Sequence, residues 1–324
     1  MVRRKQVWLA ASAGLVALVT SWTVNTGGGE KAIANTPAAV QQQQLAQNST
    51  EPLRIAFPSR SDSTDLQNKA NAVAQFLSKE LNMPVEATVV DETAAVEALR
   101  ADRADVAFLS SRPALKAEQL TNARMYLAEV RPNYSGGYTY SSVMVVPNES
   151  PLRLQNSAKE TLSQLKGKKI AFTSPTSGSG FIFPVGELVK QGLVPNRDRL
   201  EGFFGQVTYG DNYSGALQAV LRGQADVAAV SEYALKPPYI TEAESKKLRV
   251  LYAIKGVPAH GVVIDDDVPA QQREQIVNAM IKLNQPENNQ LLRSLYNSTQ
   301  LVKVDGDRHL QPMEEAMQRA GFTR

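Results

Sequence analysis

The residues best suited to chemistry form one short run, Ser174-Pro175-Thr176-Ser177-Gly178-Ser179-Gly180, set between a predicted strand and a predicted helix. Glycine lets backbone approach a ligand closely, and serine and threonine hydroxyls both donate and accept. The helix that follows, beginning in Phe181-Ile182-Phe183-Pro184, leaves amides without intrahelical acceptors at its start, where the helix dipole favours negative charge. Pro184 is tolerated in a first helical turn. Together these residues offer the chemistry of an oxyanion site. The serines also suit N-capping, but four hydroxyls with two glycines in seven positions exceed what a cap requires.

Other chemistries fit less well. No Gly-Lys-Ser/Thr is present in the run, so it is not a nucleotide P-loop. Gly178-Ser179-Gly180 is superficially close to a nucleophile elbow. A hydrolase built on Ser179 would need a nearby base, and the chain offers only His260 and His309. His309, in Asp307-Arg308-His309-Leu310, reads as part of a surface turn. His260, in Pro258-Ala259-His260-Gly261, reads as a hinge-like loop residue that either touches ligand or is an ordinary loop histidine. The absence of cysteine excludes disulfides, lipoprotein anchoring, thiol catalysis, zinc ribbons and iron–sulfur sites. Two histidines argue against a His-rich metal site. No cofactor is expected.

A second run, Tyr134-Ser135-Gly136-Gly137-Tyr138-Thr139-Tyr140-Ser141-Ser142, precedes a strand-like segment. Its position assigns Tyr140 to a cleft wall. Tyr134 and Tyr138 fit either the cleft or a flexible surface loop.

The elements that would position these residues follow an α/β rhythm. Leu53–Phe57 alternates and ends at a proline, which predicts a strand. Asp65–Leu81 has helical spacing of apolar residues, Val85–Val90 is β-branched, Thr93–Ala101 is helical, and Asp105–Leu109 is a short buried strand ending in Ser110-Ser111. The rhythm then repeats. Lys169–Phe172, Gly205–Tyr209 and Asp226–Val230 read as strands, with helices over 181–191 and 215–222. LRADRADVAFLSS in the first half resembles LRGQADVAAVSEY in the second, which favours two related lobes. Strand-helix-strand order predicts mostly parallel sheets. In such sheets ligands bind beyond the carboxyl ends of the strands, where the hydroxyl- and glycine-rich loops lie. The expected boundaries are lobe 1 over 53–142 and 257–324, and lobe 2 over 143–256, with the chain crossing between them twice.

Charge belongs to the start of the chain. Residues 1–34 carry Arg3-Arg4-Lys5, an apolar stretch and Ala32-Ile33-Ala34, the pattern of an export signal or an uncleaved anchor helix. Residues 35–52 read as a flexible polar linker. Removing residues 1–34 takes away four cations and one anion, leaving 31 of each. A folded part without surplus positive charge argues against nucleic acid as a partner. The 43% hydrophobic and 21% charged composition is that of a globular protein, which excludes a disordered chain or a polytopic membrane protein.

On these motifs the chain resembles the phosphate/phosphite/phosphonate-binding protein family, the substrate-capturing components of ATP-driven importers, over roughly Leu53–Val268. SPTSGSGFIFP (174–184) is similar to the family's Ser-Thr-Ser-Gly-Phe-containing loop, with Ser177, Gly178 and Ser179 in its places and Thr176 the candidate for the missing hydroxyl. SGALQAVLRGQADVAAV (214–230) resembles the family's Ala-Leu-Gln-Ala-Val helix and Asp-Val-Ala strand. Tyr140 with Ser142-Val-Met-Val-Val matches the aromatic before the crossover strand.

The resemblance implies a two-lobe periplasmic binding protein of type 2 architecture, not an enzyme. It would be exported to the periplasm, act as a monomer, and work with the membrane permease of an ABC importer. Ser177, Gly178 and Ser179 would hold the anion from lobe 2, Ser110 and Ser111 from lobe 1, and closure would trap it. The family's frequent anion-contacting histidine falls on Tyr213. The carboxylates that hold an ammonium group in relatives fall on Tyr233 and His260. Neither offers a carboxylate, so the expected ligand is phosphite, phosphate or methylphosphonate rather than an aminophosphonate. A binder of another anion such as sulfonate, a ligand-binding sensor module, and a hydrolase using Ser179 remain the alternatives. A sulfonate has no proton to give, so an acceptor carboxylate in the cleft would disfavour it; Asp62 and Asp211 are the candidate acceptors.

Overall fold

The computed structural model describes residues 51–59 and 65–322. Residues 1–34, expected as an export signal or anchor helix, most of the expected linker and Asp62 lie outside the described residues. Among the described residues no helix is long and apolar enough to cross a membrane.

Leu53–Pro58 (β1) buries every residue but Arg54, because helices cover both faces of its sheet. It pairs in parallel with Val85–Val90 (β2) and Val106–Leu109 (β3). Leu66–Leu81 (α1) connects β1 to β2, burying Leu66, Ala70, Val73, Ala74 and Leu77 along one stripe. Glu92–Arg100 (α2) connects β2 to β3; it is capped by Asp91, whose carboxylate accepts Ala94 N–H. Ser111–Thr121 (α3) and Arg124–Val130 (β4) complete this excursion.

The chain then crosses into a second sheet with Thr139–Pro147 (β5) and Ala158–Ser163 (α4). Lys169–Phe172 (β6) follows, then a π-helical turn, Gly178–Ile182, that runs into Phe183–Lys190 (α5). Gln206–Tyr209 (β7), Tyr213–Leu221 (α6), Val227–Ser231 (β8), Glu242–Ser245 (α7) and Leu248–Pro258 (β9) finish it. The return passes through Gly261–Ile264 (β10), Ala270–Ile281 (α8), Asn289–Tyr296 (α9), Gln300–Lys303 (β11) and Gly306–Ala320 (α10).

The first sheet has the order β11-β4-β10-β3-β1-β2 and the second β7-β6-β8-β5-β9. In the first, β1, β2, β3 and β4 share a direction that β10 and β11 oppose. In the second, only β5 opposes the rest. The strands that enter each sheet from the other, β5 and β10, are thus inserted antiparallel.

The divide placed by sequence between residues 142 and 143 falls inside β5. That strand pairs through Thr139, Tyr140 and Ser142 with β9 and through Ser142 onward with β8. Helix α10 bridges both halves. Its Met313 and Ala316 join the core around Phe172, Phe181 and Leu188, while Leu310 joins the core of Leu109 and Met125. Contact with α5 is close: a Cβ on Gly186 would lie 3.0 Å from Ala316 O. His309 therefore does not lie in a surface turn. It is a buried residue of α10, and its Nε2 is 3.1 Å from Ala259 O. The Asp-Arg-His-Leu string is polar enough to read as a turn, but Asp305 caps a helix across it.

Candidate functional site

Between the two sheets lies a cavity of about 390 Å³ at the carboxyl ends of β1, β3, β6, β7 and β8. Its walls bring together Ser110 and Ser111 from one side, Thr176, Ser177, Gly178, Tyr140, Tyr213 and Tyr233 from the other, and His260 from the crossover. Nine of the ten residues singled out from sequence meet there. A second cavity of about 350 Å³ lies beyond a shared wall of Glu92, Thr93, Arg112 and Pro113.

The tenth, Ser179, does not line the cavity. It is fully buried, its Oγ 2.9 Å from the Tyr213 hydroxyl, and its carbonyl accepts the Ser142 hydroxyl at 2.6 Å. A serine paired with a tyrosine instead of an imidazole is not arranged as a nucleophile. Its place is to fix Tyr213, whose hydroxyl in turn lies 3.4 Å from that of Tyr233.

The loop after β6 is built by its own hydroxyls. Ser177 Oγ accepts Gly180 N–H at 3.0 Å, and Thr173 donates its hydroxyl proton to Ala229 O at 3.1 Å. Gly180 admits no side chain, since a Cβ there would lie 2.1 Å from Thr173 Oγ1. Capping and anion binding are compatible at Ser177: the cap occupies a lone pair of its oxygen and leaves the O–H proton to donate.

On the opposite wall Ser110 precedes α3, yet its side chain makes no cap. Its N–H donates to Glu92 Oε1 at 2.7 Å and its Oγ to Glu92 Oε2 at 2.8 Å. Arg112 is half-buried and lines both cavities, and its Nε has no hydrogen-bond partner among the described residues. Burial, with Arg197 nearby, lowers the pKa of this guanidinium, and Glu92 opposes that shift.

Five tyrosines pack along the other side. Tyr134 stacks on Tyr140 with centroids 5.0 Å apart, and Tyr233 touches Tyr134, Tyr140, Tyr213 and Tyr239. Tyr134 therefore belongs to the packed wall, whereas Tyr138 is largely exposed and rests on His309. Burial raises the Tyr140 and Tyr233 phenols well above their ordinary range, so both keep their protons.

Sequence reasoning missed Arg131 and Glu92 among the charged residues of the cavity. Arg131, in the first crossover, is almost fully buried and sits over the Tyr233 ring at 5.5 Å. Its Nε donates to Glu129 Oε1 at 3.1 Å. Glu129 also accepts the Tyr134 hydroxyl at 2.8 Å and the Ser298 hydroxyl at 2.6 Å. The available signal was a Glu and an Arg two apart at the end of an apolar strand, a spacing that puts both on one face. Glu92 had no such signal, because its partner Ser110 lies eighteen residues on. Of the acceptors expected against a sulfonate, Asp211 lines the cavity but is exposed.

A family model described as the periplasmic substrate-binding protein of phosphonate ABC transporters matches residues 55–310. In sequence the chain is 22% identical over 262 residues to the phosphonates-binding periplasmic protein of Escherichia coli (strain K12), covering 80% of this chain and 72% of that one. The binding protein component of an ABC phosphonate transporter from Pseudomonas aeruginosa superposes with a TM-score of 0.62 at 18% identity, covering 83% of this chain and 87% of that chain. PhnD1 from Prochlorococcus marinus (MIT 9301), in complex with methylphosphonate, gives 0.65 at 19% identity, covering 84% and 100%. The shared fold is the two-lobe architecture of periplasmic binding proteins.

Proposed function

Because the chain belongs to the family of periplasmic substrate-binding proteins of phosphonate ABC transporters, we propose that it captures a small phosphorus oxyanion, namely phosphite, phosphate or methylphosphonate, and delivers it to a membrane permease. No bond is made or broken. The observation that carries this reading is the cavity itself, in which hydroxyls of Ser177 and Thr176 face Ser110 and Ser111 across the two sheets, with Arg112 and Arg131 in the same wall.

In this reading Ser177 donates its hydroxyl proton, and the backbone N–H of Gly178, which comes before the first helix-bonded N–H at Ile182, donates beside it. Tyr140, Tyr213 and Tyr233 add neutral phenols, and Arg131 supplies the positive charge. Hydrogen bonds to a charged group contribute about 1.5–3 kcal/mol each, so about four of them support a micromolar dissociation constant or better. Neither sheet completes the coordination alone, so binding favours approach of the two lobes. The Prochlorococcus relative, in complex with methylphosphonate, supports the ligand class. Tyr233 and His260 offer no carboxylate to an ammonium group, and both oxygens of Glu92, the carboxylate in the opposite wall, are engaged by Ser110, so 2-aminoethylphosphonate should bind more weakly.

Titration calorimetry with phosphite, phosphate, methylphosphonate, 2-aminoethylphosphonate and sulfate tests this. The expected result is a dissociation constant of about micromolar or lower for at least one of the first three. Preference for 2-aminoethylphosphonate, or binding of none, would overturn it.

A further inference from the structure

Glu92 and Ser110 make a contact whose polarity matters. Glu92 stands in the first turn of α2, where a helix dipole favours a carboxylate. Both its oxygens are engaged by Ser110, one by the backbone N–H at 2.7 Å and the other by the hydroxyl at 2.8 Å. A carboxylate cannot donate, so the hydroxyl proton of Ser110 is directed at Glu92. Serine has one such proton and two lone pairs. Once the proton is committed, what Ser110 presents to the cavity is an acceptor. Both residues line that cavity.

This part of the wall therefore carries lone pairs and a negative charge in a site otherwise furnished with donors. At Ser110 itself an oxygen without a proton meets only lone pairs, whereas a ligand O–H finds one matched acceptor; Arg112 in the same wall donates to either kind of anion and does not discriminate. Resting on the oxyanion reading above, we propose that the Glu92–Ser110 pair is a specificity element that reads a proton on the ligand. It selects tetrahedral oxyanions bearing a P–OH group and rejects protonless anions of the same shape, sulfate and alkanesulfonates.

A purely structural role for Glu92, holding the Ser110 backbone, makes a different prediction. In Glu92→Gln the side-chain carbonyl still accepts the Ser110 N–H, but the amide donates to Ser110 Oγ and frees the hydroxyl proton for the ligand. Methylphosphonate and methanesulfonate form the discriminating pair, compared by calorimetry at a pH where the phosphonate is a monoanion. The wild type should prefer methylphosphonate by about tenfold or more. Glu92→Gln should cut that ratio about tenfold, chiefly by tightening methanesulfonate. Ser110→Ala, an independent variant, should cut it by weakening methylphosphonate alone. A wild type that binds both anions equally, or a ratio unchanged in these variants, overturns the proton reading while leaving the oxyanion site standing. A wild type that binds no phosphorus oxyanion removes the site and the proposal with it.

Discussion

Glu129 Oε1 lies 3.0 Å from His260 Nδ1, and the two residues sit where one crossover leaves the first sheet and the other enters it. The Glu129 N–H donates to the His260 carbonyl at 2.9 Å, so main chain and side chain join the same pair. One carboxylate, 1% exposed, thereby gathers His260, Arg131, Tyr134 and Ser298 at the junction of the sheets.

Glu129→Ala leaves a buried guanidinium without its carboxylate. Breaking such a buried pair costs about 3–5 kcal/mol. Urea unfolding should show a loss of that size, and a variant as stable as the wild type would mean that the cluster contributes nothing to the fold.

Arg131→Met removes the charge while keeping much of the volume over Tyr233. Methylphosphonate affinity in calorimetry should fall at least about tenfold, since a hydrogen bond to a charged group contributes about 1.5–3 kcal/mol. An unchanged affinity would place the ligand away from Arg131.

Changing Ser177 and Ser179 together to Ala should abolish phosphite binding in calorimetry. The single variants separate two causes. Ser177→Ala removes both a ligand donor and the cap on Gly180, the latter worth about 1 kcal/mol in unfolding. Ser179→Ala acts through the hydroxyls of Tyr213 and Tyr140 rather than on the ligand, so it should weaken binding less. Retained phosphite affinity in the double variant would move the anion off this loop.

His309 gives a pH dependence. A carbonyl only accepts, so Nε2 carries the proton that bonds Ala259 O. Burial holds the imidazole below its ordinary value of 6.5, with the bond to Ala259 opposing. The folded state thus binds fewer protons than the unfolded chain below pH 6.5. The stability this residue contributes is complete above 6.5 and is lost as the pH falls through the depressed folded value. His309→Gln keeps an N–H for Ala259 but does not titrate. Between about pH 7.5 and about pH 5 its unfolding free energy should fall less than that of the wild type; equal losses would assign the dependence to other groups.

The sequence by itself determined the local elements and the chemistry of the loops. Short-range rules operate there: apolar periodicity placed α1 and the strands, and a cluster of glycine and hydroxyls before a helix marked 174–180 as the candidate ligand loop. The charge balance could likewise be read without coordinates. What only the tertiary structure decided was which side chains face the cavity and in what polarity. Ser179 has the right type and spacing, yet it turns inward to Tyr213 because the π-helical turn rotates it off the loop surface. Arg131 and Glu129 look like ordinary charged residues until the crossovers bury them together. Ser110 reads as a donor until Glu92, eighteen residues earlier, takes its proton. Burial and hydrogen-bond direction depend on partners brought together by the fold, and no local pattern in the chain encodes them.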